Sequence, residues 1–353
     1  MGVLVEGVWR DEQHGERAPT GRFLRPATRF RNWVTEDGRP GPTGTAGFAA
    51  ARGRYHLYVA HACPWAHRTV IMRMLKGLED LISMSVVEPL YGPHGWRFGT
   101  SPGTIPDTVN GASELAEIYL LANPRYSGRV SVPVLWDKER RTIVNNESAE
   151  IIRMLNGAFG RFTNVRTDYY PAPLREEIDR INAFVYENIN NGVYRTGFAT
   201  TQEAYEEAFH AVFNALKEIE QRLSRQRYLA GGEITEADWR LFTTLIRFDA
   251  VYHGHFKCNR NKLSEMPVLW SYARDLFQTP GFGDTIDFVD IKRHYYIVHA
   301  NINPTGIVPA GPDLTNWLTP HDRDRLGGRP FGDGTPPPPP KPTEVVPAGH
   351  GAA

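Results

Sequence analysis

A cysteine at the junction of a predicted strand and a predicted helix is the feature that most restricts how this chain can fold. The strand is expected over residues 55–60, which are rich in aromatic and branched side chains. Apolar residues then recur at the spacing of a helix face, at Ile71, Met74, Leu75 and Leu78. Pro64 suits the first turn of that helix, because an N–H at this position would have no helical partner. The pattern therefore predicts Cys63 at or near the helix N-cap.

This position favours a reactive thiol. At a helix N-terminus the backbone N–H groups and the helix dipole favour thiolate, and they can lower a cysteine pKa from about 8.5 to roughly 3.5–7.5. A free cysteine is often buried and inert, but the order strand, thiol, proline, helix favours the reactive interpretation. Ala66 stands where a CxxC motif has its second cysteine, which excludes an internal CxxC disulfide. The thiol must exchange with an external thiol, and in a reducing cell that thiol is glutathione.

Composition narrows the class of protein further. The chain has 353 residues, which is enough for two domains with proper cores. Its 40 Lys and Arg residues balance 40 Asp and Glu residues, so no strong field attracts nucleic acid or anionic lipid. The 2 cysteines argue against a disulfide scaffold and for a reducing compartment. The first residues lack a basic, apolar leader. We therefore expect a cytoplasmic protein with no nucleic-acid partner and no membrane segment.

The chain divides into four regions. We predict an irregular N-terminal extension over 1–50, a thioredoxin-like α/β domain over 51–165, an all-α domain over 166–326 and a disordered Pro/Gly-rich tail over 327–353. The thioredoxin-like prediction depends on the element order β-α-β-α-β-β-α. Its later elements are strands over 82–87, 130–136 and 141–144, a helix over 113–122 and a helix opening at 145–148.

Helix signals dominate the second half. Thr200 and Glu203 have the spacing of a capping box, and Thr235 and Asp238 repeat that start signal. Between them an apolar stripe recurs at spacings of four and three, at Tyr205, Phe209, Val212, Leu216, Ile219 and Leu223. The stripe predicts a long helix that packs on a core.

The motifs along the chain resemble those of the glutathionyl-hydroquinone reductases, the xi class of the cytosolic glutathione transferases. The resemblance covers about residues 21 to 326. Its motifs are GRYHLYV at 53–59, ACPWAHR at 62–68, KGLED at 76–80, GW at 95–96, SVPVLWD at 131–137, NNES at 145–148, RFD at 247–249, HFKCN at 255–259 and INPTGIVP at 302–309. Cys-Pro-Trp alone is also typical of omega-type transferases and of glutaredoxin relatives.

The resemblance implies glutathione as co-substrate, and the residues fit that implication. Val132 precedes a proline that is typically cis in thioredoxin-like folds, which leaves its backbone available to pair with an extended peptide. Ser148 and the helix N-terminus can meet the γ-glutamyl carboxylate, and Glu147 can meet the ammonium. By resemblance, the remaining contacts come from Trp96, Arg129, Val130 and Ser131.

The resemblance also implies a substrate side made of tyrosines. By motif alignment, the family's three active-site tyrosines correspond to Tyr194, Tyr252 and Tyr295. Tyr296 is adjacent to Tyr295, and in a helix only one of the two can face the thiol; we favour Tyr295. The implied substrates are glutathionyl-hydroquinones, with Cys63 attacking the sulfur and Tyr194 as the candidate acid. A homodimer, formed through the helical domain, is implied as well.

Three other interpretations stay open or are set aside. An omega-like or glutaredoxin-like thiol transferase, or a dehydroascorbate reductase, would use the same mixed disulfide. A non-catalytic ligand-binding protein of the same fold is a different class. His253, His255 and Cys258 lie close together in sequence, but their spacing matches no familiar zinc site, so we expect a structural role there. No metal, nucleotide or flavin is expected.

Overall fold

The structure is a computed structural model that describes residues 2–11 and 18–341. The described residues form two compact units. The first unit contains residues 2–11, 26–166 and 337–341, and the second contains residues 18–25 and 167–336.

The first unit is an α/β fold, as the sequence predicts. Its elements are β1 Val3–Val5, β2 Val8–Arg10, β3 Trp33–Thr35, β4 Gly47–Ala49, β5 Tyr55–Val59, α1 Pro64–Leu75, β6 Ser83–Val86, α2 Leu115–Ala122, β7 Val134–Asp137, β8 Thr142–Asn145 and α3 Ser148–Gly157. The central sheet has the order β6-β5-β7-β8. Strand β5 runs parallel to β6 and antiparallel to β7, which confirms the thioredoxin-like topology.

Burial explains why this sheet forms where it does. All five residues of β5 are buried, as expected for a central strand that is covered on both faces. Helix α1 is buried at every position except Trp65, and it packs against α3. The thiol at the start of α1 is therefore carried by a strand and a helix that both lie in the core.

The N-terminal extension is not irregular within its described residues. Strands β1 and β2 pair as a hairpin, and β3 pairs with β4 in parallel. The hairpin also bonds to the loop at Gly128 of the same unit, because Leu4 donates to and accepts from Gly128 at N–O distances of 3.0 and 2.9 Å. Strands of three residues are too short to show an alternating pattern, which is why the sequence did not indicate them.

The second unit consists of helices. They are α4 Arg175–Val185, α5 Gly192–Gly197, α6 Gln202–Leu223, α7 Glu236–Leu245, α8 Pro267–Gln278 and α9 Phe288–Val298. Two π-helical turns, Tyr186–Asn190 and Phe248–Tyr252, interrupt the helical path. In the part of the chain that the structure describes, no helix combines the length and the apolar character needed to cross a bilayer.

Helix α6 begins one residue later than predicted. Its N-cap is Thr201, whose hydroxyl accepts from the N–H of Ala204 at 3.3 Å, so the proposed capping box at Thr200 is wrong. The N–H of Thr200 instead donates to the carbonyl of Gly21 at 3.1 Å. The capping box of Thr235 and Asp238 at the start of α7 is confirmed.

The described part of the tail makes hydrogen bonds with the rest of the chain. The carbonyl of Pro330 accepts from Ile234 at 3.0 Å, and Thr167 donates to the carbonyl of Thr335 at 2.8 Å. Pro337 is buried in the first unit. Hydrogen bonds of this kind leave no periodic signal in the sequence. Residues 342–353 lie outside the described residues.

Candidate active site

Cys63 is the N-cap residue of α1, as predicted. Its backbone is extended, with φ −82° and ψ 119°, and its carbonyl accepts from the N–H of His67 at 3.0 Å. The side chain makes no capping bond to its own helix, and the residue is half-buried. The thiol therefore lies at the positive end of the helix dipole, where negative charge on sulfur is stabilised.

The thiol contacts the segment that precedes the predicted cis-proline. The Sγ atom of Cys63 lies 3.7 Å from the carbonyl oxygen of Val132. The peptide bond between Val132 and Pro133 is cis, as expected. Two of the predicted site residues, distant in sequence, are thus brought together.

Tyr119 fixes this segment in place, and no sequence pattern indicated this role. Its hydroxyl donates to the carbonyl of Ser131 at 2.7 Å and accepts from the N–H of Ser131 at 3.2 Å. The side chain of Asn146 donates to the same hydroxyl at 3.1 Å. Burial raises the pKa of Tyr119, so its phenol keeps its proton. One buried hydroxyl therefore ties the residues beside the thiol to the start of α3.

The start of α3 carries the predicted γ-glutamyl contacts. Glu147 is the N-cap, and its carboxylate accepts from the N–H of Ala149 at 3.2 Å. Ser148 is buried at the first helical position. The Nη1 atom of Arg68 lies 3.5 Å from the Ser148 hydroxyl, and its guanidinium lies 4.6 Å from the ring centroid of Trp65. Arg68 links the thiol helix to the start of α3, although the sequence only placed it inside a motif.

The remaining predicted glutathione contacts lie in two loops of the first unit. Trp96 is buried and packs edge-on against Tyr91, with ring centroids 4.7 Å apart. Arg129 is half-buried, and its carbonyl accepts from the Tyr126 hydroxyl at 3.0 Å. Val130 is buried beside it. Contacts within the first unit therefore hold each of these two loops, through Tyr91 in one and Tyr126 in the other.

In the second unit the three predicted tyrosines converge. The hydroxyl oxygens of Tyr194 and Tyr295 are 2.5 Å apart, and those of Tyr252 and Tyr295 are 3.1 Å apart. We call these three residues the tyrosine cluster. Tyr296 is not part of it and instead packs on His255, with ring centroids 4.8 Å apart. Tyr295 is thus the residue of the pair that meets the other two.

The elements explain this convergence. Tyr194 lies in α5, Tyr295 lies in α9, and Tyr252 ends a π-helical turn, a feature that often marks functional sites. Phe256 packs against all three rings at centroid distances of 5.4, 5.4 and 5.7 Å. A side chain at Gly197 would collide with Phe256, since an added Cβ would come within 2.2 Å of the ring.

Burial keeps two members of the cluster protonated. It raises the pKa of Tyr252 and that of Tyr295 well above the ordinary value, and the nearby charge of Arg247 opposes that rise in both. Both phenols therefore carry their protons at neutral pH. The cluster is therefore a set of hydrogen-bond and proton donors.

The histidine and cysteine motif before Asn259 has no metal-like geometry. Cys258 is fully buried, and burial raises the pKa of its thiol to about 12. His255 pairs with His299, with Nε2 and Nδ1 3.1 Å apart. Across residues 2–11 and 18–341, no three side chains of the His, Cys, Asp and Glu types are grouped as metal ligands.

The sequence of each unit contains a match to one of the two domains of a single protein family. The model of the family described as "Glutathione S-transferase, N-terminal domain" matches residues 62–158, and that of "Glutathione S-transferase, C-terminal domain" matches residues 202–275. A thioredoxin-like unit with its thiol at the first helix, followed by an all-α unit, is the architecture of a glutathione transferase.

Relatives that are similar along nearly the whole chain show which group of glutathione transferases it resembles. Glutathionyl-hydroquinone reductase YqjG of Escherichia coli strain K12 is 54% identical over 327 residues, which are 92% of this chain and 99% of YqjG. Its glutathione-bound structure matches with a TM-score of 0.84 at 52% identity, over 92% of this chain and 99% of that one. Glutathionyl-hydroquinone reductase PcpF of Sphingobium chlorophenolicum is 50% identical over 88% of this chain and 96% of PcpF.

A solved structure adds the subclass. The xi-class transferase of Natrialba magadii matches with a TM-score of 0.85 at 48% identity, over 93% of this chain and 98% of that one. This chain belongs to the glutathionyl-hydroquinone reductases, the xi class of the glutathione transferases.

Proposed function

We propose that the protein is a glutathione-dependent reductase that removes glutathione from glutathionyl-hydroquinones through a mixed disulfide on Cys63. The observation that carries this proposal is the position of Cys63 at the N-cap of α1, with its sulfur 3.7 Å from the Val132 carbonyl. The names of YqjG and PcpF, both glutathionyl-hydroquinone reductases, support the same substrate class.

Glutathione binds, in this proposal, along the segment that Tyr119 fixes. Its cysteine residue pairs with the backbone of 130–132 as an added strand. Its γ-glutamyl carboxylate meets Ser148 and the N-terminus of α3, where anions are stabilised, and its ammonium meets Glu147. Trp96 and Arg129 supply the remaining contacts. The bound sulfur then lies beside Cys63.

The first chemical step transfers glutathione to the enzyme. The Cys63 thiolate attacks the glutathione sulfur of the substrate and forms an S–S bond. The bond between that sulfur and the ring carbon breaks, and its electron pair stays on the carbon. The carbon takes a proton from Tyr194, which gives the free hydroquinone.

The second step regenerates the enzyme. A second glutathione attacks the mixed disulfide as thiolate and leaves as oxidised glutathione, which frees the Cys63 thiolate. The proton released by this glutathione replaces the one that Tyr194 gave away. Each cycle therefore consumes one glutathionyl-hydroquinone and one glutathione, and it yields one hydroquinone and one oxidised glutathione.

Tyr252 and Tyr295 assist this chemistry as hydrogen-bond donors. Their buried phenols keep their protons, so they can donate to the ring oxygens of the substrate or to the thiolate. Tyr295 also lies within hydrogen-bonding distance of Tyr194, so it can stabilise the tyrosinate that the first step leaves.

Replacing each cysteine in turn tests the proposal. Cys63→Ala should abolish turnover and the formation of a glutathione adduct, as measured by hydroquinone release and by intact-protein mass spectrometry. Cys258→Ala is the matched control and should keep both, because its thiol is buried and protonated. Wild-type turnover in Cys63→Ala would overturn the mechanism.

We also propose that the protein acts in the cytoplasm as a homodimer formed through the helical unit. A chain with 2 cysteines in 353 residues fits a reducing compartment. Light scattering after size exclusion should give twice the chain mass of 39.8 kDa. A particle with the mass of a single chain would contradict the dimer.

A further inference from the structure

A cation from the N-terminal extension lies on Tyr194. The guanidinium carbon of Arg25 is 4.8 Å from the centroid of the Tyr194 ring and 5.3 Å from that of Phe23. Its Nε donates to the side-chain oxygen of Asn191 at 2.9 Å. Asn191 precedes α5 and stands three residues before Tyr194. Arg25 is thus fixed to the helix whose tyrosine it covers.

The segment that carries Arg25 is held in the second unit at several points. The ring of Phe23 stacks on those of Tyr194 and Phe198, with centroids 6.4 and 5.5 Å apart. Arg22 forms an ion pair with Glu207 of α6 at 2.6 Å. The position of the guanidinium is therefore set by the fold of this unit.

A guanidinium in this position attracts the ionised form of Tyr194 more strongly than the neutral form. A neutral ring attracts a guanidinium through its quadrupole. A tyrosinate carries a full negative charge, so its attraction to the same guanidinium is larger, and partial burial keeps solvent from screening it. Arg247 exerts the corresponding influence on Tyr252 and Tyr295. Each member of the tyrosine cluster thus has an arginine that favours its ionised form.

We propose that Arg25 is a positioning residue for Tyr194, which it holds in place and whose tyrosinate it stabilises after proton transfer to the substrate carbon. The proposal depends on the proposed function, in which Tyr194 is the acid. The O–H bond of Tyr194 breaks as the C–H bond forms, and Arg25 stabilises the charge left on oxygen. The thiol proton of the second glutathione then restores the phenol.

Kinetics with matched variants test this role. Arg25→Met should slow hydroquinone formation about 10-fold or more at saturating substrate, leave the KM for glutathione unchanged, and move the pH profile of kcat. Arg25→Lys should recover part of the rate. Leu24→Thr, at an exposed position of the same segment, is the control and should retain wild-type kcat. A loss in Leu24→Thr as large as that in Arg25→Met would overturn the proposal.

The Tyr194→Phe background separates a role through the phenol from a structural one. In that background Arg25→Met should cause no further loss of kcat, because no tyrosinate forms at position 194. An equal loss in both backgrounds would mean that Arg25 acts on something else, and the proposal would fail.

A titration provides a readout that does not depend on activity. The difference in tyrosinate absorbance between the wild type and Tyr194→Phe isolates the ionisation of Tyr194. Arg25→Met should move the midpoint of that ionisation to higher pH, and an unmoved midpoint would overturn the proposal. A moved midpoint combined with full activity of Tyr194→Phe would instead show that Tyr194 is not the acid; the charge effect of Arg25 on the phenol would stand, but the role of both residues in the proposed reaction would be overturned.

Discussion

The two cysteines of this chain show how location decides the chemistry of one residue type. Cys63 lies half-exposed at a helix N-cap, where a helix dipole favours thiolate. Cys258 lies in the core, where burial raises the pKa of its thiol to about 12. Only one of the two thiols is therefore available as a nucleophile at physiological pH.

Alkylation should report this difference directly. At pH 8 iodoacetamide should label one cysteine per native chain, because the Cys258 thiol stays protonated far below its pKa of about 12. Cys63→Ala should take up no label until denaturant exposes Cys258. Peptide mass spectrometry identifies the labelled residue, and rapid labelling of Cys258 in the native protein would contradict the expectation.

A second residue-scale prediction separates hydroquinone reduction from simple thiol transfer. Only the first reaction needs a proton at carbon, and general acid catalysis contributes about 10²–10⁴-fold. Tyr194→Phe should therefore lower hydroquinone formation by about 10² or more and leave exchange with a small mixed disulfide unchanged. Tyr296→Phe, from outside the tyrosine cluster, should retain both activities. Equal losses in the two assays of Tyr194→Phe would show that the tyrosine supports thiol exchange itself.

The residues of the site differ in how far sequence could reveal them. Cys63 was predictable because local pattern alone places it at a helix start. The three tyrosines share no spacing, and tertiary packing brings together positions 194, 252 and 295, so only family resemblance pointed to them. Tyr119 and Arg25 act through contacts across long sequence separations, and no local pattern marks them.

At the scale of elements, the N-terminal hairpin of β1 and β2 adjoins the proposed glutathione site. Leu4 pairs with Gly128, immediately before Arg129. Trp9 packs edge-on against His94, with ring centroids 5.7 Å apart, and His94 lies two residues before Trp96. The hairpin thus contacts both loops that carry proposed glutathione contacts, within a single unit.

Removal of the hairpin should weaken glutathione binding. Deletion of residues 2–11 frees the loops before Arg129 and Trp96, so we expect the Kd for glutathione to rise about 10-fold, equivalent to about 1.4 kcal/mol. Calorimetry measures this change. Val8→Thr, at an exposed hairpin position, is the control and should bind normally. An unchanged Kd in the deletion variant would rule out a role for the hairpin in binding.

Helices and strands were predictable from the sequence when they are long enough to repeat their hydrophobic pattern. Helix α1 and strand β5 have a clear pattern and appear where expected. The three-residue strands of the extension and the backbone-bonded stretch after Gly327 have none, and both were missed. The start of α6 moved by one residue because Gly21 engages the backbone of Thr200. Adjacent threonines cannot be separated by sequence when a distant loop decides which of them caps the helix.

At the scale of the whole molecule, buried histidines contribute to the response to acid. Burial lowers the pKa of His56 to about 3 and that of His255 to about 4, and it lowers the pKa of His299 well below the ordinary value. An unfolded histidine titrates near pH 6.5. Below about pH 6.5 the unfolded chain therefore binds protons that the native protein does not, and the free energy of unfolding falls as the pH falls.

The expected loss is about 2 kcal/mol per histidine between pH 7 and pH 5. Asp238 opposes it, since burial raises its pKa to about 6 and its protonation stabilises the native state by about 1 kcal/mol at pH 5. Denaturant unfolding at the two pH values should show a net decrease. His255→Asn should reduce the pH dependence, and His210→Asn, at an exposed position, should not. Equal stability of the wild type at pH 7 and pH 5 would contradict this assignment.

The N-terminal extension contributes to both units, since residues 2–11 belong to the first and residues 18–25 to the second. All of it precedes Cys63 and each of the three tyrosines. In the proposed mechanism no reacting atom lies in either stretch. Chimaeras that exchange residues 2–11 or residues 18–25 between relatives should therefore alter glutathione affinity or the rate of ring protonation while every proposed reacting atom stays the same. For enzyme engineering, these two stretches offer a way to adjust catalysis without mutating the proposed catalytic residues.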